Sequence, residues 1–89
     1  MNAADTHRAF ATLDREAGDT DAAQRHASAA LNLSTDISHR RGQAEAHTEL
    51  GLIAADPTAA HRHFTTALDL YRRLGISDKA DDLTRLLGK

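Results

Sequence analysis

Shifted by 37 residues, the chain falls into register with itself. Ala22-Ala23-Gln24-Arg25-His26 lies on Ala59-Ala60-His61-Arg62-His63, and Ala30-Leu31-Asn32-Leu33 lies on Ala67-Leu68-Asp69-Leu70. The same shift sets Asp19 on Asp56, Leu13 on Leu50, Ala9 on Ala46 and Leu50-Gly51 on Leu87-Gly88. A period of roughly 20–50 residues belongs to chains that stack one supersecondary unit on the next, because a single unit cannot bury its own apolar face. A third unit begins near Ser77 and reaches only its first helix.

Local signals divide each unit into two helices. Gly18-Asp19 and Asp56-Pro57 are breaks. Asp caps a helix N-terminus, and Pro at the first helical position gives up only an N–H that has no partner there. After each break, small and apolar residues recur at three- and four-residue spacing: Ala23, Ala27, Ala30 and Leu31, then Ala60, Phe64, Ala67, Leu68 and Tyr71. The helices before them carry Ala9, Phe10, Leu13 and Ala17, then Ala46, Leu50 and Ile53, which are expected to face the core. Leu74-Gly75 closes the fourth helix, with Arg72 and Arg73 at the negative end of its dipole. A last helix over about 78–88 presents Leu83, Leu86 and Leu87 on one side.

The expectation is an all-α chain of about five antiparallel helices in one domain over 1–89: two helical hairpins, about 5–37 and 40–75, and a C-terminal capping helix. Composition agrees. Val is absent and aromatic residues make up 3%, so the core is built from Ala and Leu. That suits closely packed helices and not a sheet. At 89 residues the chain buries a modest share of its surface and has little stability to spare.

The second helix of each unit resembles the tetratricopeptide repeat, small–x–x–x–large–x–x–small, in Ala23-x-x-x-Ala27-x-x-Ala30 and Ala60-x-x-x-Phe64-x-x-Ala67. Gly18-Asp19 and Leu50-Gly51 match that pattern too. Arg41-Gly42-Gln43-Ala44-Glu45-Ala46 and Leu68-Asp69-Leu70-Tyr71-Arg72-Arg73-Leu74-Gly75 resemble the extended repeats of bacterial multidomain transcriptional regulators. The resemblance implies a right-handed α-solenoid fragment that binds protein. Two features depart from it. Between Leu50-Gly51 and Asp56 there are about three residues fewer than the pattern has, so the third helix is expected to be shortened or distorted. Ala27 stands where a large aromatic is common, and His7 and His47 stand near bulky positions, which loosens packing.

Chemistry is hard to place on this chain. There is no Cys, hence no disulfide, thiolate nucleophile or Cys-based zinc site. His61 and His63 point to different faces of one helix, and His26 and His63 lie one unit apart, so no metal or cofactor is expected. Ser28, Ser34, Ser38 and Ser77 lack a nucleophile elbow, and Asp14, Glu16, Asp19 and Asp21 read as a solvated, helix-capping cluster. No catalytic residue is expected. A net charge of −2, with basic pairs only at Arg40-Arg41 and Arg72-Arg73, argues against nucleic acid. With no signal peptide and no long apolar run, the expectation is a cytoplasmic protein or a piece of one, not a membrane protein.

What remains is a groove. If the family geometry holds, Arg8, Thr12 and Arg15 line it in the first unit, Glu45, Thr48 and Leu52 in the second, and Arg85 on the last helix. The three arginines would suit an acidic protein or peptide segment. The family that the chain resembles holds a chain-terminal carboxylate with paired Asn and Lys in its groove. Here Asn occurs only at Asn2 and Asn32 and Lys only at Lys79 and Lys89, so the resemblance does not extend to that recognition, which is disfavoured. Three readings follow: a protein-interaction module, a self-associating module using Leu83, Leu86 and Leu87 as a homo-oligomer face, or a small-molecule sensor using the gap left by a shortened third helix.

Overall fold

Helix-favouring composition and well-placed breaks give five helices and no strand among the described residues, which are 3–36 and 39–88, side chains at 4, 5 and 36 excepted, in a computed structural model. They are α1 (Ala3–Glu16), α2 (Thr20–Asp36), α3 (Arg40–Ile53), α4 (Pro57–Leu74) and α5 (Ser77–Leu87). Ser38 and the expected end of the first hairpin at residue 37 lie outside the described residues. No described helix is long and apolar enough to cross a membrane.

The breaks work as their residues dictate. The Asp19 carboxylate accepts from the Ala22 N–H at 3.1 Å, and Asp56 accepts from the Thr58 N–H at 3.1 Å with Pro57 opening α4. Gly75 ends α4 at φ 74°, a left-handed conformation that costs a residue with a Cβ about 1–2 kcal/mol. This lets the Gly75 and Ile76 N–H groups donate to the Arg72 and Tyr71 carbonyls.

Each helix packs on the next in sequence, and α1 also touches α3. Two apolar clusters result. Ala11, Ala27 and Leu50 join α1, α2 and α3, with Leu31 and Ile53 beside them. Ala44, Ala67, Leu68, Tyr71, Ala80 and Leu83 join α3, α4 and α5, with Phe64, Leu70, Ile76 and Leu87 beside them. The second cluster holds Tyr71 with Phe64 beside it and is the heavier one, since buried apolar area sets the stabilisation. The close approach of α3 and α4 depends on Gly51: a Cβ there would lie 2.6 Å from Cε1 of Phe64.

Three expectations need correction. The third helix is not shortened: α3 and α1 each span 14 residues, and both their ends are 37 residues apart. Leu13 to Asp19 and Leu50 to Asp56 are equal distances, so the break closes both first helices at the same point. On α1 the expected core face is mostly open. Ala9 and Ala17 are exposed, Phe10 is 47% and Leu13 62% exposed, and the buried residue is Ala11. The reason is position, because the neighbours α2 and α3 lie on the Ala11 side. Finally, Leu83, Leu86 and Leu87 do not share an outward face. Leu83 is in the core, Leu87 is half-buried against it, and only Leu86 is exposed.

Candidate functional site

The 37-residue shift sets Arg8 against Glu45 and Thr12 against Glu49, and the α1–α3 packing brings these repeat-equivalent residues together. The Thr12 hydroxyl donates to Oε1 of Glu49 at 2.8 Å, and the Arg15 Nε–H donates to Oε2 of the same carboxylate at 3.0 Å. Glu49 is 9% exposed. Its desolvation is offset by a charge-assisted pair with Arg15 and a neutral donor. Arg8 is bound differently. Its Nε lies 3.6 Å from Oε2 of Glu45 and has no hydrogen-bond partner. The two cations of this face are therefore unequal: Arg15 is committed to Glu49, and Arg8 is held only by proximity.

Tyr71 of α4 lies beneath the looser pair. Its phenol is pushed above the usual value by burial and then by the Glu45 carboxylate, with the Thr48 hydroxyl, Arg41 and Arg8 acting in the opposite direction. Four expected groove residues, Arg8, Thr12, Arg15 and Glu45, thus meet on one face. Thr48 turns toward Tyr71 and donates to the Ala44 carbonyl, while Leu52 is 42% exposed. Arg85 is not part of this face. It pairs with Asp82 on α5, which packs on α4. Glu49 was missed by sequence reasoning, although the self-alignment signals it by placing Thr12 over an acid.

A second feature went unread. His7 and His26 oppose their Nδ1 atoms at 3.2 Å across α1 and α2, and His47 and His63 do so at 3.0 Å across α3 and α4. The ring centroids of the second pair are 5.3 Å apart, about as far as that N···N distance allows. The nitrogens therefore face each other head-on, as in a shared N–H···N bond, and do not converge on a common metal. No group of three or more His, Asp or Glu that could hold a metal occurs among the described residues. The signal was hairpin symmetry: His47 and His63 are equally far from the turn at Ala55.

Burial lowers the proton affinity of both His47 and His63, reinforced at His47 by His63 and at His63 by Arg62. A folded-state pKa below the unfolded value of 6.5 means that the unfolded chain takes up protons first on acidification. The contribution is complete above pH 6.5 and is lost as pH falls through the lowered folded values. Thermal melts between pH 7.5 and pH 5, a window in which His titrates and ordinary carboxylates stay ionised, should therefore fall with pH. The His47→Gln variant should flatten that slope, whereas an unchanged slope would remove the pair as its source.

One small cleft, about 280 Å³, opens between α2, α3 and the start of α4. Leu50, Ile53, Ala54, Ala59 and His63 line it. Asp56 also lines it, but Asp56 caps α4 through the Thr58 N–H and His63 faces His47, so both are already engaged within the fold. No family model, no curated protein and no solved structure matches this chain.

Proposed function

We propose that the chain is a non-catalytic protein-interaction module of the tetratricopeptide-repeat kind, which takes a partner segment along the α1–α3 face. The observation that supports this reading best is the inequality of the two arginines. Arg15 and Thr12 fix Glu49 and so fix the spacing of α1 and α3. Arg8 keeps its buried Nε 3.6 Å from Glu45 without a hydrogen bond, while its side chain as a whole is 34% exposed. An incoming carboxylate can therefore pair with the exposed part of the guanidinium while Glu45 stays in place. A preorganised face with one cation available suits an acidic segment. The internal carboxylates Glu45 and Glu49 then oppose any segment too acidic to place its charge beside Arg8. A cytoplasmic setting goes with this reading.

The test separates recognition from folding. Arg8→Ala should leave stability within about 1 kcal/mol of wild type, as partly exposed pairs do, while weakening capture of the partner from native cytosol. Arg15→Ala should cost about 1–3 kcal/mol in urea unfolding, because Glu49 keeps its burial and loses its cation. Equal capture by wild type and Arg8→Ala would remove the α1–α3 face as the binding site.

A further inference from the structure

The first helices of the second and third units pack through one pair of equivalent positions, which recurs on the first. At the 37-residue spacing these are Ala9 and Leu13 on α1, Ala46 and Leu50 on α3, and Leu83 and Leu87 on α5. On α3, Ala46 is fully buried, and Leu50 is 8% exposed in the cluster that holds Ala27 and Leu31 of α2. On α5, Leu83 is 2% exposed and Leu87 half-buried, in the cluster that holds Ala67 and Leu68 of α4. On α1 the same two positions are open: Ala9 is exposed and Leu13 is 62% exposed. Phe10 extends the stripe on the same side of α1, and Ala17 continues it in the turn just past the helix end. Phe10 is 47% exposed, with its ring 5.4 Å from that of His26 on α2.

What covers the equivalents indicates what fits the open copy. On α3 and α5 the stripe lies against the second helix of the preceding unit: Leu50 meets Ala27 of the small-residue row on α2, and Leu83 meets Ala67 beside the larger Leu68 and Tyr71 on α4. We propose that Ala9, Phe10 and Leu13 of α1, with Ala17 in the turn that follows it, form a docking face for an amphipathic helix of a partner polypeptide, one carrying a small-residue row like Ala23, Ala27 and Ala30. The proposal rests on the repeat reading above but uses the side of α1 away from Arg8. A second copy of the chain has no such row free. Ala23, Ala27 and Ala30 are no more than 1% exposed beside α1 and α3, and Ala67 is fully buried in the cluster with α5. Head-to-tail stacking of copies would require one of these helices to come away first, so the occupant is a helix from elsewhere.

The probe is a synthetic peptide with the α2 sequence, residues 20–36, lactam-bridged on the side away from its Ala row. The bridge is needed because an isolated helix of this length is marginal in water. Titrated into the isotope-labelled full chain, the peptide should shift the amide resonances of Ala9, Phe10, Leu13 and Ala17 saturably. Leu13→Glu in the chain should weaken binding at least about tenfold while leaving the thermal melt unchanged, since Leu13 is mostly in water. Ala27→Glu in the peptide should do the same. Arg8→Ala should leave this binding intact, which separates it from the α1–α3 face. No shift at millimolar peptide, or shifts centred on Arg8 and Glu45, would overturn the proposal. So would concentration-dependent dimerisation of the chain alone with shifts at the stripe, because the occupant would then be a second copy.

Discussion

Replacing Tyr71 with Ala is expected to remove about 3–5 kcal/mol of stability, the range for truncating a buried ring. A chain of this length has on the order of 4–13 kcal/mol to lose. Tyr71 is 3% exposed and is the large side chain of the cluster where α3, α4 and α5 meet. Its neighbours there are mostly Ala and Leu, which have little reach with which to fill the cavity. Tyr71→Phe keeps the ring and should cost about 1 kcal/mol or less, the value of one hydroxyl interaction. Urea unfolding followed by circular dichroism measures both. A loss under 1 kcal/mol for Tyr71→Ala would mean that α5 does not depend on this anchor.

Gly51→Val is the second large effect, with an expected loss of about 3 kcal/mol, the upper part of the overpacking range. The new Cβ would lie 2.6, 2.8 and 2.9 Å from three ring atoms of Phe64, so α3 and α4 must separate or the ring must leave its place. Gly51→Ala is the milder case, because a gain of about 1 kcal/mol in helix propensity offsets part of the crowding. Adding Phe64→Leu should recover much of the Gly51→Val loss, a non-additivity expected of residues in contact. If the double variant is simply the sum of the singles, the contact does not set the helix spacing.

How much of this was readable beforehand depends on which physics the sequence expresses. Breaks at Gly18-Asp19, Asp56-Pro57 and Gly75 are local chemistry, so the helices and their order could be read from them. The 37-residue shift carried more than the fold. It already paired Arg8 with Glu45 and Thr12 with Glu49, and the structure brings these residues into contact. Periodicity alone misled at α1 and α5. Apolar spacing says that Leu13, Leu83, Leu86 and Leu87 share a type of face, but not whether a neighbour covers it. Leu83 has α4 beside it and Leu13 has no described helix. The inequality of Arg8 and Arg15 turns on distances of 3.6 and 3.0 Å between side chains from different helices, which no spacing rule encodes. The histidine pairs failed for another reason: they were sought along one helix and one repeat apart, whereas antiparallel hairpins bring together residues equidistant from a turn.

The most direct test of the interaction reading places a photoreactive residue at position 41 on α3, an exposed site beside Tyr71 and Glu45, or at exposed position 25 on α2. Each protein is irradiated in native cytosol and its adducts are identified by mass spectrometry. The α1–α3 face predicts one recurrent partner crosslinked from position 41 and not from position 25. It also predicts loss of that adduct when Arg8→Ala is added. The same partner captured from position 25 alone, or capture from position 41 undiminished by Arg8→Ala, would contradict it.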